Sequence, residues 1–160
     1  MKSIEFLKLI ISILICHSAG FIGLVFTSSA IPTWYDSLKK PFFSPPNWIF
    51  GPVWTILYTL MGISAYLVWR QGINDPHVKT ALIIFGVQLF LNAIWSPIFF
   101  GFKAIHIALI VIAIMWIAIL LTILAFFKIS TVAAILLIPY ILWVSFATIL
   151  NFSLWALQFS

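Results

Sequence analysis

The sequence predicts an all-α fold, an integral membrane bundle of five transmembrane helices. Two observations carry this. The 160 residues are 64% hydrophobic and only 7% charged, more apolar surface than so short a chain can hide from water. The apolar residues also gather into five stretches that contain no Asp, Glu, Lys or Arg. A helix crosses the hydrocarbon core with about 20 residues at 1.5 Å each. Within lipid the backbone must satisfy its own hydrogen bonds, and no strand-like alternation suggests a barrel.

The first span runs from about Leu9 to Phe26. Lys2 and Lys8 precede it and Ser18-Ala19-Gly20 is small, as in a secretory leader, but the apolar run continues past that point. It therefore reads as a retained helix. The second span covers Trp48 to Trp69, the third Thr80 to Phe100, the fourth Ile105 to Phe127 and the fifth about Val132 to Leu157. Pro97 and Pro139 lie inside the third and fifth and predict local breaks there.

Short connections at Gln71–Lys79, Gly101–Ala104 and Ile129–Thr131 make sequential helices antiparallel. The length fits one domain, residues 1–160. The exception is the long connection Thr27–Pro46, with Pro32, Pro41, Pro45 and Pro46 and the rings of Trp34, Tyr35, Phe42 and Phe43. Such rings either fold over the bundle or anchor in the headgroup layer. Trp48, Trp69 and Trp155, near span ends, read as interfacial anchors. Lys2, Lys8, Arg70, Lys79 and Lys128 fall on one side and Lys39, Lys40 and Lys103 on the other, which favours a cytoplasmic N-terminus.

Several function classes are disfavoured. The net charge of +5 reflects scarce acids rather than a basic cluster, so lipid headgroups are a better partner than nucleic acid. Glu5, Asp36 and Asp75 are the only acids, and none lies in a span to couple ion movement. No Cys/His cluster has metal-ligand spacing, and no phosphate-cradling glycine loop is present. Cys16 is the single cysteine, so no internal disulfide forms.

What remains is aromatic and amide-based. Trp54, Tyr58, Met61 and Ala65 share one face of the second helix, and Gln88, Asn92, Trp95 and Phe99 one face of the third. Trp143, Ala147, Leu150 and Asn151 do so in the fifth. Amides in hydrocarbon need partners, so these faces should turn inward. Two outcomes fit: a tightly packed core, or a cavity for a flat hydrophobic ligand. Trp116, mid-span, shows no polar partner in its own helix and reads as a lipid or packing contact. His17 and His106 read as helix–helix hydrogen-bonding groups, with ligation of haem iron the alternative. Ala19-x-x-x-Gly23 suits a close helix contact or a homodimer.

The stretch Trp34-Tyr35-Asp36-Ser37-Leu38-Lys39-Lys40-Pro41, then Pro45-Pro46, resembles the first-loop signature of the TspO/translocator-protein family (tryptophan-rich sensory proteins). Gly51-Pro52-Val53-Trp54, Leu57-Tyr58 and Tyr66-Leu67-Val68-Trp69 continue the resemblance. So do Gln88-Leu89, Leu91-Asn92, Trp95, Pro97 to Gly101, Pro139-Tyr140, Trp143, Phe146-Ala147-Thr148 and Leu150-Asn151. It covers nearly the whole chain.

The resemblance implies a five-helix bundle with a pocket open toward the long loop. Its members bind porphyrins such as protoporphyrin IX, and synthetic benzodiazepine-type and isoquinoline carboxamide ligands; mitochondrial members also bind cholesterol. It implies that Tyr35 and Pro45 close the pocket and that Trp54, Tyr58, Asn92, Trp95, Trp143 and Ala147 line it, with Gln88 and Asn151 on the same stripes. No cofactor is required, and a porphyrin is the implied ligand. Some members are credited with light- or oxidant-dependent porphyrin breakdown, for which Trp54 and Trp143 are the candidate residues. In the C-terminal sterol motif of animal members, the tyrosine position is Phe152 here and the basic position Ala156. That departure favours a bacterial cell membrane over a sterol-binding role.

Overall fold

The computed structural model describes residues 1–160 and consists of helices and turns without a strand. The long helices are α1 (Lys2–Ala30), α2 (Phe50–Trp69), α3 (Pro76–Ser96) and α4 (Ile105–Phe127). The fifth span is split into α5 (Thr131–Leu136) and α6 (Ile138–Gln158). Five segments are long and apolar enough to cross a membrane. The protein is an integral, multi-pass membrane protein.

Lipid explains the exposure pattern. Phe6, Leu14, Phe90, Ile110, Leu142 and Ile149 are all exposed. In water these would be costly, but against acyl chains they are ordinary. The interior is mostly apolar too, but it also holds small and polar groups that tie the helices together. Ser64 Oγ donates to the Ala133 carbonyl at 2.7 Å, tying α2 to α5. Trp116 Nε1 donates to Ser145 Oγ at 2.7 Å, tying α4 to α6. Trp116 thus has a polar partner after all, supplied by a neighbouring helix that the local sequence does not reveal.

Both mid-span prolines mark breaks. After α3 the chain takes one wide turn, Pro97–Gly101, with Phe102 N–H donating to the Pro97 carbonyl at 2.9 Å. Proline lacks the N–H that would continue an α-helix, and the wider five-residue bond absorbs the misfit. The fifth span breaks at Leu137, two residues before Pro139. The α3 start is capped by Asp75, whose carboxylate accepts from His77 N–H at 2.8 Å, with Pro76 at the first helical position.

The first helix is longer than the apolar run alone indicates, reaching Ala30. Thr27, Ser28 and Ser29 are poor span formers but tolerable in the last turn of a helix. The Ala19–Gly23 pair faces inward, where a β-carbon on Gly23 would lie 3.2 Å from Ser96 Oγ. It serves a contact within the bundle. His17 Nε2 lies 2.9 Å from Thr59 Oγ1, the helix–helix bond expected of it, whereas His106 is exposed.

Candidate functional site

The long connection folds back over one end of the bundle. Tyr35 is only 2% exposed and packs against Phe50, Phe99 and Phe100, with ring centroids 5.8–6.4 Å apart. Trp34 meets Phe99 edge-on at 5.6 Å. Phe43 meets Phe146 at 6.2 Å. Phe42 and Trp48, by contrast, are 100% and 72% exposed. The fold-over reading therefore holds for Trp34, Tyr35 and Phe43, which cover the bundle, while Phe42 and Trp48 project outward.

Polar ties hold this cover in place. Gln158, at the end of α6, accepts from Lys39 N–H at 3.2 Å and donates to the Lys39 carbonyl at 2.8 Å. Asn47 Nδ2 donates to Asp36 Oδ1 at 2.8 Å, and Lys40 Nζ to the Asp36 carbonyl at 3.1 Å. The Lys40 ammonium also lies 5.0 Å from the Tyr35 ring centroid. Burial raises the Tyr35 phenol above its ordinary pKa, so the hydroxyl stays protonated at neutral pH.

Beneath the cover is a cavity of about 670 Å³. That is within the size range of small-molecule sites. Tyr35, Trp54, Tyr58, Asn92, Trp95, Trp143, Ala147 and Asn151 all line it, and no Asp, Glu, Lys or Arg does. While the α6 stripe lines the cavity throughout, the inward stripes of α2 and α3 divide by depth. Their upper residues border open space. Met61 and Gln88, further along the same stripes, are fully buried, and Ala65 borders a separate, smaller pocket.

An amide–phenol chain forms the boundary between these halves. Tyr58 OH donates to Asn92 Oδ1 at 2.5 Å, and Asn92 Nδ2 donates to Tyr140 OH at 2.9 Å. Tyr140 OH in turn donates to Gln88 Oε1 at 2.7 Å. Trp54 stacks on Tyr58, with centroids 5.5 Å apart and planes 28° apart. Trp95 Nε1 donates to Asn151 Oδ1 at 3.2 Å, and Asn151 Nδ2 to the Ile105 carbonyl at 3.1 Å. Asn92 and Asn151 thus each fix an aromatic ring of the wall. The indole N–H of Trp143 and the Tyr35 hydroxyl are buried without a protein partner.

Two residues of the sequence-based set lie outside the lining. Gln88 sits one turn below Asn92 on α3, behind Tyr140, and satisfies that hydroxyl instead. Pro45 stands on the extended run leading to the turn Asn47–Ile49, and Ile31, Pro32, Tyr35 and Asn47 are what this connection contributes to the wall. The sequence reading also missed two helices. His17, Gly20, Leu24 and Thr27 line the cavity from α1, with Ile31 just past its end, and Ile112 and Met115 from α4. With Ile31, the α1 set recurs at i, i+3, i+7, i+10 and i+14, a helical stripe that mixes His, Gly and Thr into an apolar span. That mixture was the available signal. Ile112 and Met115 gave none.

The chemistry this wall offers is stacking and apolar burial with a few neutral hydrogen bonds. Residues 12–156 match the TspO/MBR family. The Tryptophan-rich protein TspO of Archaeoglobus fulgidus is 45% identical over 153 residues, covering 95% of this chain and 97% of that protein. The Tryptophan-rich sensory protein of Cereibacter sphaeroides is 42% identical, over 74% of this chain and 73% of its own length. The human Translocator protein is 39% identical, over 84% of this chain and 80% of its own.

Proposed function

This chain belongs to the TspO/MBR family, and on that premise we propose that it is a membrane receptor for porphyrins and similar flat, hydrophobic molecules. It would serve in sensing, regulation or transport of tetrapyrroles, and its home would be a bacterial cell membrane. The observation that carries this reading is the cavity of about 670 Å³ bordered by Trp54, Tyr58, Trp95 and Trp143. Rings of this kind bind a planar aromatic body by stacking, at about 0.5–1.5 kcal/mol per ring pair beyond burial. The absence of any charged residue from the lining suits an apolar body. Titrating the purified protein with protoporphyrin IX tests the reading. Saturable quenching of tryptophan fluorescence at one ligand per chain is expected, and quenching no stronger than that of free tryptophan would reject it.

A second reading is photo-oxidative porphyrin breakdown. Its specific support is that Trp54 and Trp143 border the same cavity from α2 and α6. An indole in contact with a bound porphyrin can give up an electron to its excited state. The lining holds no carboxylate, and its one imidazole, His17, is engaged with Thr59 Oγ1 at 2.9 Å, so radical chemistry is the kind this wall favours. Binding remains the primary proposal.

A further inference from the structure

The seam between α1 and α2 is closed at one end and open at the other. At the closed end, a β-carbon on Gly62 would lie 2.6 Å from the Ile13 Cα, so the two backbones touch there. About two turns further along α1, a β-carbon on Gly20 would lie 2.7 Å from the Tyr58 ring. Beyond that point α1 turns from α2 toward α3. Gly23 meets Ser96, and the Phe26 ring lies 2.8 Å from where a β-carbon on Gly101 would sit. On the α2 side, a β-carbon on Gly51 would meet nothing within 4 Å.

Exposure of the cavity wall follows the same divide. Phe21 and Leu24 line the cavity yet are 66% and 58% exposed. Ser28, Gly51 and Thr55 are lining residues and exposed as well. Every lining residue from α3, α4 and α6 is buried or half-buried. If this exposure were only the inner surface of the cavity, all walls would share it. It is confined to α1, α2 and Pro32 just after α1, so the cavity opens sideways between those helices. The end of the cavity is meanwhile covered by Tyr35 and pinned through Lys39 and Gln158.

We propose that this slot is the route by which a flat, largely apolar ligand passes between the cavity and the bilayer. The proposal rests on the reading of the cavity as a ligand site. A ligand leaving through the cover would expose its apolar faces to water, at about 25 cal/mol per Å². Through the slot, which reaches down to Phe21 and Leu24 within the first apolar span, it passes into the lipid layer with less of its apolar face exposed to water. The protein thus takes its ligand from lipid and returns it to lipid, while the loop acts as a fixed plug.

The test uses the full chain in lipid nanodiscs, with stopped-flow quenching by protoporphyrin IX. Gly51→Phe and Ser28→Phe narrow the slot from opposite sides, at positions where the first has free space and the second is exposed. Gln158→Ala removes the tie on the plug. Both slot variants should slow association and dissociation together by about tenfold, and Gln158→Ala should leave both rates within about twofold of wild type. Wild-type rates in the slot variants would overturn the route. So would slower association without slower dissociation, which signals a filled cavity, or faster dissociation in Gln158→Ala, which signals exchange through the cover. Absence of saturable quenching in the wild type would instead reject the ligand-site reading on which the route depends.

Discussion

The Tyr58 hydroxyl donates to Asn92 Oδ1 across the α2–α3 contact, and the other end of the same amide donates to Tyr140 on α6. One side chain thereby joins three helices at the cavity floor. In a bilayer interior no water competes for these groups, so the arrangement specifies position as well as contributing stability.

Asn92→Leu is near in size but removes both contacts. Tyr140 keeps its bond to Gln88, whereas the Tyr58 hydroxyl loses its acceptor. A loss of about 1–3 kcal/mol is expected for that orphaned donor. Thermal unfolding in detergent, followed by circular dichroism, measures it. Tyr58→Phe in the Asn92→Leu background should recover part of the loss, because no donor is then left unpaired.

Gly62 and Gly86 provide a paired test of helix packing. Gly62→Ala drives a β-carbon into the Ile13 backbone, and overpacking of this kind costs about 1–3 kcal/mol. Gly86 is exposed and its β-carbon would meet nothing within 4 Å. Gly86→Ala should therefore be neutral, or stabilising by up to about 1 kcal/mol from helix propensity. Equal melting temperatures for the two variants would contradict the close α1–α2 contact.

The photo-oxidative reading has its own test. Phe at position 54 or 143 retains an aromatic ring but is a poorer electron donor than indole. Trp54→Phe and Trp143→Phe should each bind protoporphyrin IX with affinity within about tenfold of wild type, since one stacked ring contributes about 0.5–1.5 kcal/mol. Illuminated porphyrin decay should fall in both if the indoles take part. Decay equal to that of protein-free detergent in all three proteins would leave a binding protein only.

Much of this molecule was legible in its sequence because lipid imposes a simple rule. The fourth span, Ile105–Phe127, coincides with α4 because Lys103 and Lys128 bracket a run that holds no Asp, Glu, Lys or Arg and is almost wholly apolar. The first span was read short, since hydropathy ends at Phe26 while backbone hydrogen bonding continues to Ala30. Period alone turned Trp54, Asn92 and Trp143 inward correctly. It could not separate Asn92, at the cavity, from Gln88 one turn away, because both occupy the same face. Depth along a helix is set by which neighbour fills the space, and for Gln88 that neighbour is Tyr140 from another helix. The tilt of α1 away from α2 was likewise hidden. It follows from contacts of Gly23 and Gly101 with side chains remote in sequence.

The space between Trp54, Trp95, Trp143 and Ala147 is where the proposed flat hydrophobic ligand would lie. Ala147 is half-buried and lines the cavity, so Ala147→Phe places a ring where the ligand would lie. Equilibrium titration of wild type and Ala147→Phe with protoporphyrin IX, read by tryptophan quenching, is the most direct measurement. A Kd raised by at least about tenfold, equivalent to about 1.4 kcal/mol, is expected, with the helical circular dichroism spectrum unchanged. An unaltered Kd in a folded Ala147→Phe variant would contradict that placement.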